Sequence, residues 1–581
     1  MLRIGLLTDG AKVSVFDAEL VRRIHAAKVA EVVLVIQQEL GGMSFGRKIA
    51  RAIKRGRLLR AVVFNVVVSI ERRIIAIAKP QINELFESVP IESVCGAETL
   101  HVRPQVSRSG LVHRFSPEDI ETIRSKKLDL LLRAGSGILR GDILSATPHG
   151  VISFHHGDNR TNRGQPPGFW EVLERRDCTG FIIQRLTEEL DAGEVLVRGE
   201  LATKPSYLLN QWSVYKRAII SMVDLLSRLG RGGDGGRARS AEAIDWYSHT
   251  LYTTPSAAES LKYVAKLFRT LLARLARALL LGKGVWELRV LDADWHELTL
   301  TKARKLVPPR GKFWADPFIV GHPRGRAIFF EEFDFRRGKA HISALTTAHG
   351  GSFSYAGPVI TTPYHLSFPY VFRYGDDYYM CPESADAKSI QLWRCTSWPL
   401  TWKHHKTVMA DIDAADTMIF ERDGLWWLFT NVDRDGTRDY CRELHIYYSD
   451  SPLSDNWTPL PSNPVVTGAG QARNAGLLFD DRGAYRLAQA QGFDLYGRSL
   501  KLFEITKLSE QGYDERLIAE LKPNRKLDAN GIHHLSACAG AVVFDAHRPR
   551  YFWAELRRPP RKAAVRTELS FEPRGRPAPK V

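Results

Sequence analysis

The sequence predicts a multidomain chain, an α/β domain built on a parallel sheet followed by an all-β five-bladed propeller. Up to about residue 229, short apolar runs alternate with helix-period stretches, the cadence of a parallel sheet covered by helices. Gly230 to Gly236 then holds five glycines in seven residues, a linker composition. From about residue 285 the helical patterning stops and a self-similar unit recurs every ~50 to 65 residues, the mark of strand units stacked around an axis. A length of 581 residues also exceeds what one core usually fills. The expected boundaries are 1–229 for the α/β domain, 230–284 for a glycine-rich linker with a basic amphipathic helix, 285–555 for the propeller, and 556–581 for a disordered Pro- and Arg-rich tail.

In chain order, Leu2 to Leu7 is an apolar run closed by Thr8-Asp9-Gly10, and reads as a first strand rather than a signal peptide. The turn lacks the G-x-G-x-x-G spacing of a dinucleotide site. Glu31 to Ile36 and Leu128 to Leu132 read as strands, and Pro117 to Lys126 as a helix. Ala61 to Ile70 is apolar until Glu71-Arg72-Arg73 closes it, far short of the roughly 20 residues of a membrane span. Leu261 to Leu281 places Leu261, Val264, Phe268, Leu272, Leu275 and Leu279 at helical spacing, with Lys262, Lys266, Arg269 and Arg277 among them. That helix either covers a domain edge or docks on a membrane surface.

The net charge of +17 is unevenly placed: Arg47 to Arg60 holds seven Lys or Arg and no acid, and the tail is rich in Arg. Neither segment is interleaved with aromatics as an RNA-reading module would be, so solvated surface or attraction to anionic sugar phosphates and lipids is expected over nucleic acid. Six cysteines without C-x-x-C spacing argue against a zinc ribbon and a disulfide framework. No metal is expected, and the location expected is cytoplasmic, with peripheral contact at the inner face of a membrane through the basic segments.

The propeller units open on Trp314 to Ile319, Ser367 to Phe372, Asp416 to Phe420 and Arg473 to Phe479, each followed by a second apolar strand. A fifth, weaker copy runs from Ala541-Val542-Val543-Phe544 to Tyr551-Phe552-Trp553, which makes five blades. Trp393, Trp398, Trp402, Trp426 and Trp427 suit either sugar stacking or blade cores, and at such positions core is the commoner role.

The residues that point to chemistry are Gly150-Val151-Ile152-Ser153-Phe154-His155, then Arg163-Gly164, then Leu190-Asp191-Ala192-Gly193, with Asp191 lying 36 residues after His155. A histidine and a carboxylate so separated can meet in an α/β fold, the acid orienting an imidazole that serves a reacting carbonyl. Acyl transfer to an amine suits that pair.

Residues 128–200 resemble the catalytic domain of the folate-dependent formyltransferases, whose pattern is Asn-x-His, a loop ending in Arg-Gly, then Thr-Gly and Asp-x-Gly. His155, Arg163-Gly164, Thr179-Gly180 and Asp191-Ala192-Gly193 match it. Ser153 replaces the family's asparagine, and His156-Gly157-Asp158-Asn159-Arg160 replaces its Pro-Ser-Leu-Leu-Pro loop, which helps shape the folate site. The resemblance implies 10-formyltetrahydrofolate as co-substrate, bound with Arg163, Gly164 and Gly193. It also implies that His155 donates to the developing oxyanion with help from Ser153, and that Asp191 holds the imidazole.

Residues 285–555 resemble the N-terminal propeller of glucosamine inositolphosphorylceramide transferase, itself similar to the five-bladed propellers of glycoside hydrolase family 43. The resemblance is carried by Trp314-Ala315-Asp316-Pro317-Phe318, Tyr364-His365-Leu366-Ser367-Phe368-Pro369, Met380-Cys381-Pro382-Glu383-Ser384 and Asp416-Thr417. It implies that Asp316, Glu383 and Asp416, each beside the innermost strand of a different repeat, either act as acid and base or bind glycan hydroxyls with His365 and Arg473 assisting; a blade-turn role is the third reading. Together the two resemblances imply formylation of an amino sugar, as sugar nucleotide or glycolipid, in polysaccharide biosynthesis. The alternative is a carbohydrate-active or glycan-binding propeller carrying an inactive formyltransferase domain.

Overall fold

The computed structural model describes residues 1–40, 58–108, 110–161, 163–189, 193–232, 251–276, 284–347, 352–434, 436–538 and 540–548. The basic run 47–57, the linker beyond Gly232, Asp191, and the tail from 549 lie outside the described residues.

Seven strands form the first sheet: β1 (Leu2–Thr8), β2 (Ala30–Gln38), β3 (Glu98–Val102), β4 (Leu130–Ala134), β5 (Val151–His155), β6 (Cys178–Arg185) and β7 (Glu194–Ala202), in the order β7-β6-β5-β4-β1-β2-β3. The first five run parallel, β6 runs antiparallel to them, and β7 turns back antiparallel to β6. β1 and β4 are buried nearly throughout, which is why they read as continuous apolar runs rather than alternating ones. β4 starts later than the run Leu128 to Leu132 suggests, because the Asp129 side chain first accepts from the Arg3 amide at 2.7 Å.

Helix α1 (Val15–Ala27) is capped by Ser14, whose Oγ accepts from the Asp17 amide. Helix α2 (Leu58–Ala78) contains the apolar run 61–70 but passes straight through Glu71-Arg72-Arg73. Glu71 does not end the helix because it turns inward, accepting from Ser206 Oγ at 2.5 Å and the Leu208 amide at 3.1 Å. Helix α3 (Pro117–Ser125) begins as its sequence predicts, with Ser116 as cap and Pro117 in the first turn. The short helix α4 (Phe169–Glu174) follows β5, and α5 (Tyr207–Gly230) follows β7. α1 and α5 cover one face of the sheet, while Ile120 and Ile123 of α3 pack on the other. Helix α6 (Ala257–Ala276) packs against α2 and α4. Among the described residues no helix is long and apolar enough to cross a membrane.

Four antiparallel sheets follow, with innermost strands Lys312–His322, Ser367–Tyr374, Ala414–Arg422 and Asn474–Asp480, each opening its unit as expected. The fifth sheet differs from the expectation. Its innermost strand is Leu535–Cys538, Ala541–Arg548 is the second, and the outer two, Val285–Leu291 and Arg304–Leu306, come from the start of the region. Val285 thus lies opposite Arg548, and a blade assembled from both ends of the region leaves no local repeat to read. Tyr551 to Trp553 lie outside the described residues. The five innermost strands contact one another in sequence, and Leu535–Cys538 also contacts Lys312–His322, which completes the ring. Trp402 and Trp427 are buried in blade cores.

The propeller docks against β6, β7 and α5. Arg217 of α5 contacts Glu443, and Arg434 bridges Glu443 and Asp224 at 2.6 and 2.7 Å. Asp177 accepts from the Phe493 amide at 2.9 Å, and Glu200 from the Gly470 amide at 3.2 Å.

Candidate active site

A cavity of about 850 Å³ opens beyond the carboxyl ends of β4 and β5, where open parallel sheets place their ligands. Ser153, His155, Gly164, Gly193 and Tyr215 are among its lining residues. His155 is the last residue of β5, half-buried and paired with Ile182 of β6. Sheet geometry therefore brings four of the expected residues to one cavity. Asp191 and the Arg163 side chain lie outside the described residues, so the expected imidazole–carboxylate contact has no described geometry.

Ser153 donates its hydroxyl hydrogen to the Phe154 carbonyl at 3.2 Å, a main-chain acceptor rather than the cavity. To assist at an oxyanion it would have to rotate away from that bond. His156 stacks on Phe154 and lies 4.1 Å, ring to ring, from Tyr215. Burial pulls its pKa down to about 3, so it is neutral, and its Nδ1 has no hydrogen-bond partner.

Two of the motif glycines have steric reasons. Gly164 sits at φ 98°, and a Cβ there would fall 2.0 Å from the Tyr252 carbonyl, because the Arg163–Gly164 strand pairs with Leu251–Tyr252. Gly180 makes room for Asp158, whose Cβ would lie 2.7 Å from an added methyl. Asp158 accepts from Arg160 at 2.8 Å and pairs with Arg198. Burial alone would raise the Asp158 pKa, but those two guanidiniums outweigh it and hold the carboxylate ionised. The loop that departs from the family pattern is thereby fastened to the sheet.

A second cluster occupies the propeller axis. Asp316 and Asp416 sit in bulges of innermost strands at φ 48° and 50°, and Glu383 ends the second strand of its blade, beside the innermost strand and opposite Ser367. Arg473 donates to Asp416 at 2.5 Å and lies 3.6 Å from Glu383, and Gln489 also donates to Asp416. His365 accepts from the Ala340 amide at Nδ1, which leaves Nε2–H 3.4 Å from Glu331. The five expected residues do converge, and Glu331, His533 and Asp545 join them unforeseen. One signal was available: His534-Leu535-Ser536 repeats His365-Leu366-Ser367 at the head of an innermost strand.

Charges within this cluster are split. Burial and the neighbouring Asp416 push Glu383 well above the carboxylate range, and burial and Asp316 do the same to Glu331. His533 lies 3.2 Å from Asp316 and 2.7 Å from Asp545. Burial opposes its protonation, yet the two carboxylates prevail and raise its pKa to about 10. Asp316, against the same burial, is held at about 2 by His533 and Arg473. Asp316, His533 and Asp545 each bring a ligand atom within 4.8 Å of the others, a span a cation could occupy; in its protonated form the imidazole offsets one of the two carboxylate charges.

The pH consequence can be measured. A raised folded-state pKa means that His533 contributes stability in full below its ordinary 6.5 and loses it as pH climbs toward 10. Asp316, depressed, loses its contribution only as pH falls from its ordinary 3.8 toward 2. The melting temperature should therefore fall across the alkaline interval, and more gently in His533→Gln. Parallel slopes for the two proteins would refute the ion-pair assignment.

Residues 298–536 match the family model for the N-terminal region of glucosamine inositolphosphorylceramide transferase 1. The protein of that name from Oryza sativa subsp. japonica is 34% identical over 235 residues, 39% of this chain and 31% of that protein. Methionyl-tRNA formyltransferase from Ruminiclostridium cellulolyticum is 33% identical over 87 residues, 15% of this chain and 28% of that enzyme. This chain joins a formyltransferase-like domain to a propeller. It spans about a third of the length of the curated relatives it matches. Glycinamide ribonucleotide transformylase 1 from Symbiobacterium toebii aligns with a TM-score of 0.27 and 15% identity, over 40% of this chain and 89% of that one. The GH62 α-L-arabinofuranosidase catalytic domain from Coprinopsis cinerea aligns with a TM-score of 0.30 and 16% identity, over 40% and 80%.

Proposed function

We propose that this chain is a transferase that moves a formyl group from 10-formyltetrahydrofolate to the amine of an amino sugar, presented as a sugar nucleotide or glycolipid, with the propeller recognising the carbohydrate. The observation that carries this reading is the cavity beyond β4 and β5 with His155 on its wall. Its size suits a folate, its apolar wall includes Leu111, Ile138 and Leu186, and the unpartnered His156 Nδ1 borders it. When bound, the folate supplies the formyl carbon.

The chain's own groups would act on that carbon's surroundings. His155 donates a hydrogen bond to the formyl oxygen as the acceptor nitrogen adds. A neutral amine is required; as its bond to the formyl carbon forms, the formyl–N10 bond of the co-substrate breaks, and the proton the amine releases passes, with help from Asp191, to the departing tetrahydrofolate nitrogen. The neutral His156 adds no competing positive charge beside His155. Incubating the full chain with 10-formyltetrahydrofolate and a panel of nucleotide-linked amino sugars should yield an N-formyl product with at least one of them. Absence of product across the panel, with folate bound, would contradict the reading.

A second reading rests on the axial charge split. Ionised Asp316 beside protonated Glu383 and Glu331 is an arrangement suited to acid–base work on a glycoside. Release of sugar from aryl glycosides, lost in Asp316→Asn and Glu383→Gln, would favour it.

A further inference from the structure

We infer that the outer faces of α2 and α6 form a surface that docks on an anionic lipid bilayer. The two helices pack side by side. On α2, Leu59, Val62, Val66, Ile70, Ile74 and Ile77 recur every three or four residues and are 50–87% exposed. On α6, Leu261, Val264, Phe268, Leu271, Leu272 and Leu275 form a matching stripe, 41–63% exposed. Their inner faces are already used: Phe64 and Tyr263 are buried in the cluster that holds Phe169 and Tyr207. Two such exposed apolar stripes on neighbouring helices mark a contact site rather than ordinary scatter.

Charge selects the occupant. The two helices carry Arg60, Arg72, Arg73, Lys262, Lys266, Arg269 and Arg274 against only Glu71 and Glu259. Glu71 is buried against Ser206, while Glu259 and the Asp494 that pairs with Arg274 offset two of the seven cations, which leaves the surface positive. An apolar stripe bordered by cations matches the acyl boundary and headgroups of an anionic monolayer. A second copy on the same face would set those cations against each other. The surface also lies close to the cavity, since Phe64 of α2 rests 5.8 Å, ring to ring, from Tyr207, which lines it. Docking there would hold the cavity near a lipid-borne acceptor.

The test is sedimentation of the full chain with phosphatidylcholine vesicles with and without phosphatidylglycerol. Wild type should pellet with the anionic vesicles, Ile70→Asp and Phe268→Asp should each cut binding about tenfold, and Lys262→Glu with Arg269→Glu should abolish the preference for anionic lipid. Circular dichroism confirms that the variants are folded. Wild type remaining in the supernatant with both vesicles, or Ile70→Asp and Phe268→Asp pelleting as wild type, overturns the inference. So does light scattering that shows a dimer broken by Phe268→Asp, which would give the face to a second copy. None of these outcomes depends on formyl transfer.

Discussion

His155→Ala is expected to lower formyl transfer by about 10² to 10⁴-fold while leaving the melting temperature within a degree or two of wild type. The size follows from the role: a donor aimed at a developing oxyanion acts mainly in the transition state, so its loss appears in kcat more than in KM. The small effect on folding follows from position, because His155 ends β5 at the cavity wall while Val151 and Ile152 of the same strand are the fully buried members. His155→Gln, which keeps a donor but cannot be charged, should recover part of the rate. Equal turnover in wild type and His155→Ala would remove the histidine from the mechanism.

Glu443→Ala should be the most destabilising single substitution at the junction of the two domains, costing about 3 to 5 kcal/mol. Glu443 is buried against Arg217, Arg434 and His445. Burial disfavours its charge, but Arg217 foremost, then a hydrogen bond from His445 and the Arg434 guanidinium, outweigh burial and hold its pKa well below the usual carboxylate value. Removing the carboxylate strands the buried guanidinium of Arg217 and leaves Arg434 held by Asp224 alone. Wild type should unfold in one calorimetric transition and Glu443→Ala in two, as propeller and α/β sheet lose their common charge cluster. Because the Glu443 pKa is depressed, its contribution is present above the ordinary carboxylate pKa and disappears as pH falls through the folded value. A single transition at an unchanged temperature would show that the junction draws its stability elsewhere.

What the sequence made legible follows the range of the interactions involved. β1, β2 and β4 are continuous apolar runs because they are buried strands, and α3 announces itself through Ser116 and Pro117; both signals are local. The first four blade openers repeat because each blade is contiguous in the chain. The fifth was misplaced by one strand, since its partners lie some 250 residues apart and only the ring brings Val285 to Arg548. The charged triplet that ends the 61–70 run looked like a stop because a glutamate in an apolar helix usually faces water, whereas Glu71 is taken up by the first turn of α5. At the axis, Asp316 and Asp416 were readable from the openers, but His533 and Asp545 acquire their meaning only from facing Asp316 across the ring.

A formyl-transfer site in the cavity beyond β4 and β5 would be seen in a crystal structure of the chain grown with the stable analogue 5-formyltetrahydrofolate. The pterin is expected in that cavity against Ile138 and Leu186, with the formyl oxygen within hydrogen-bond reach of His155. A folate bound elsewhere on the chain, or a cavity closed by the His156 to Arg160 loop in the presence of saturating ligand, would contradict that assignment.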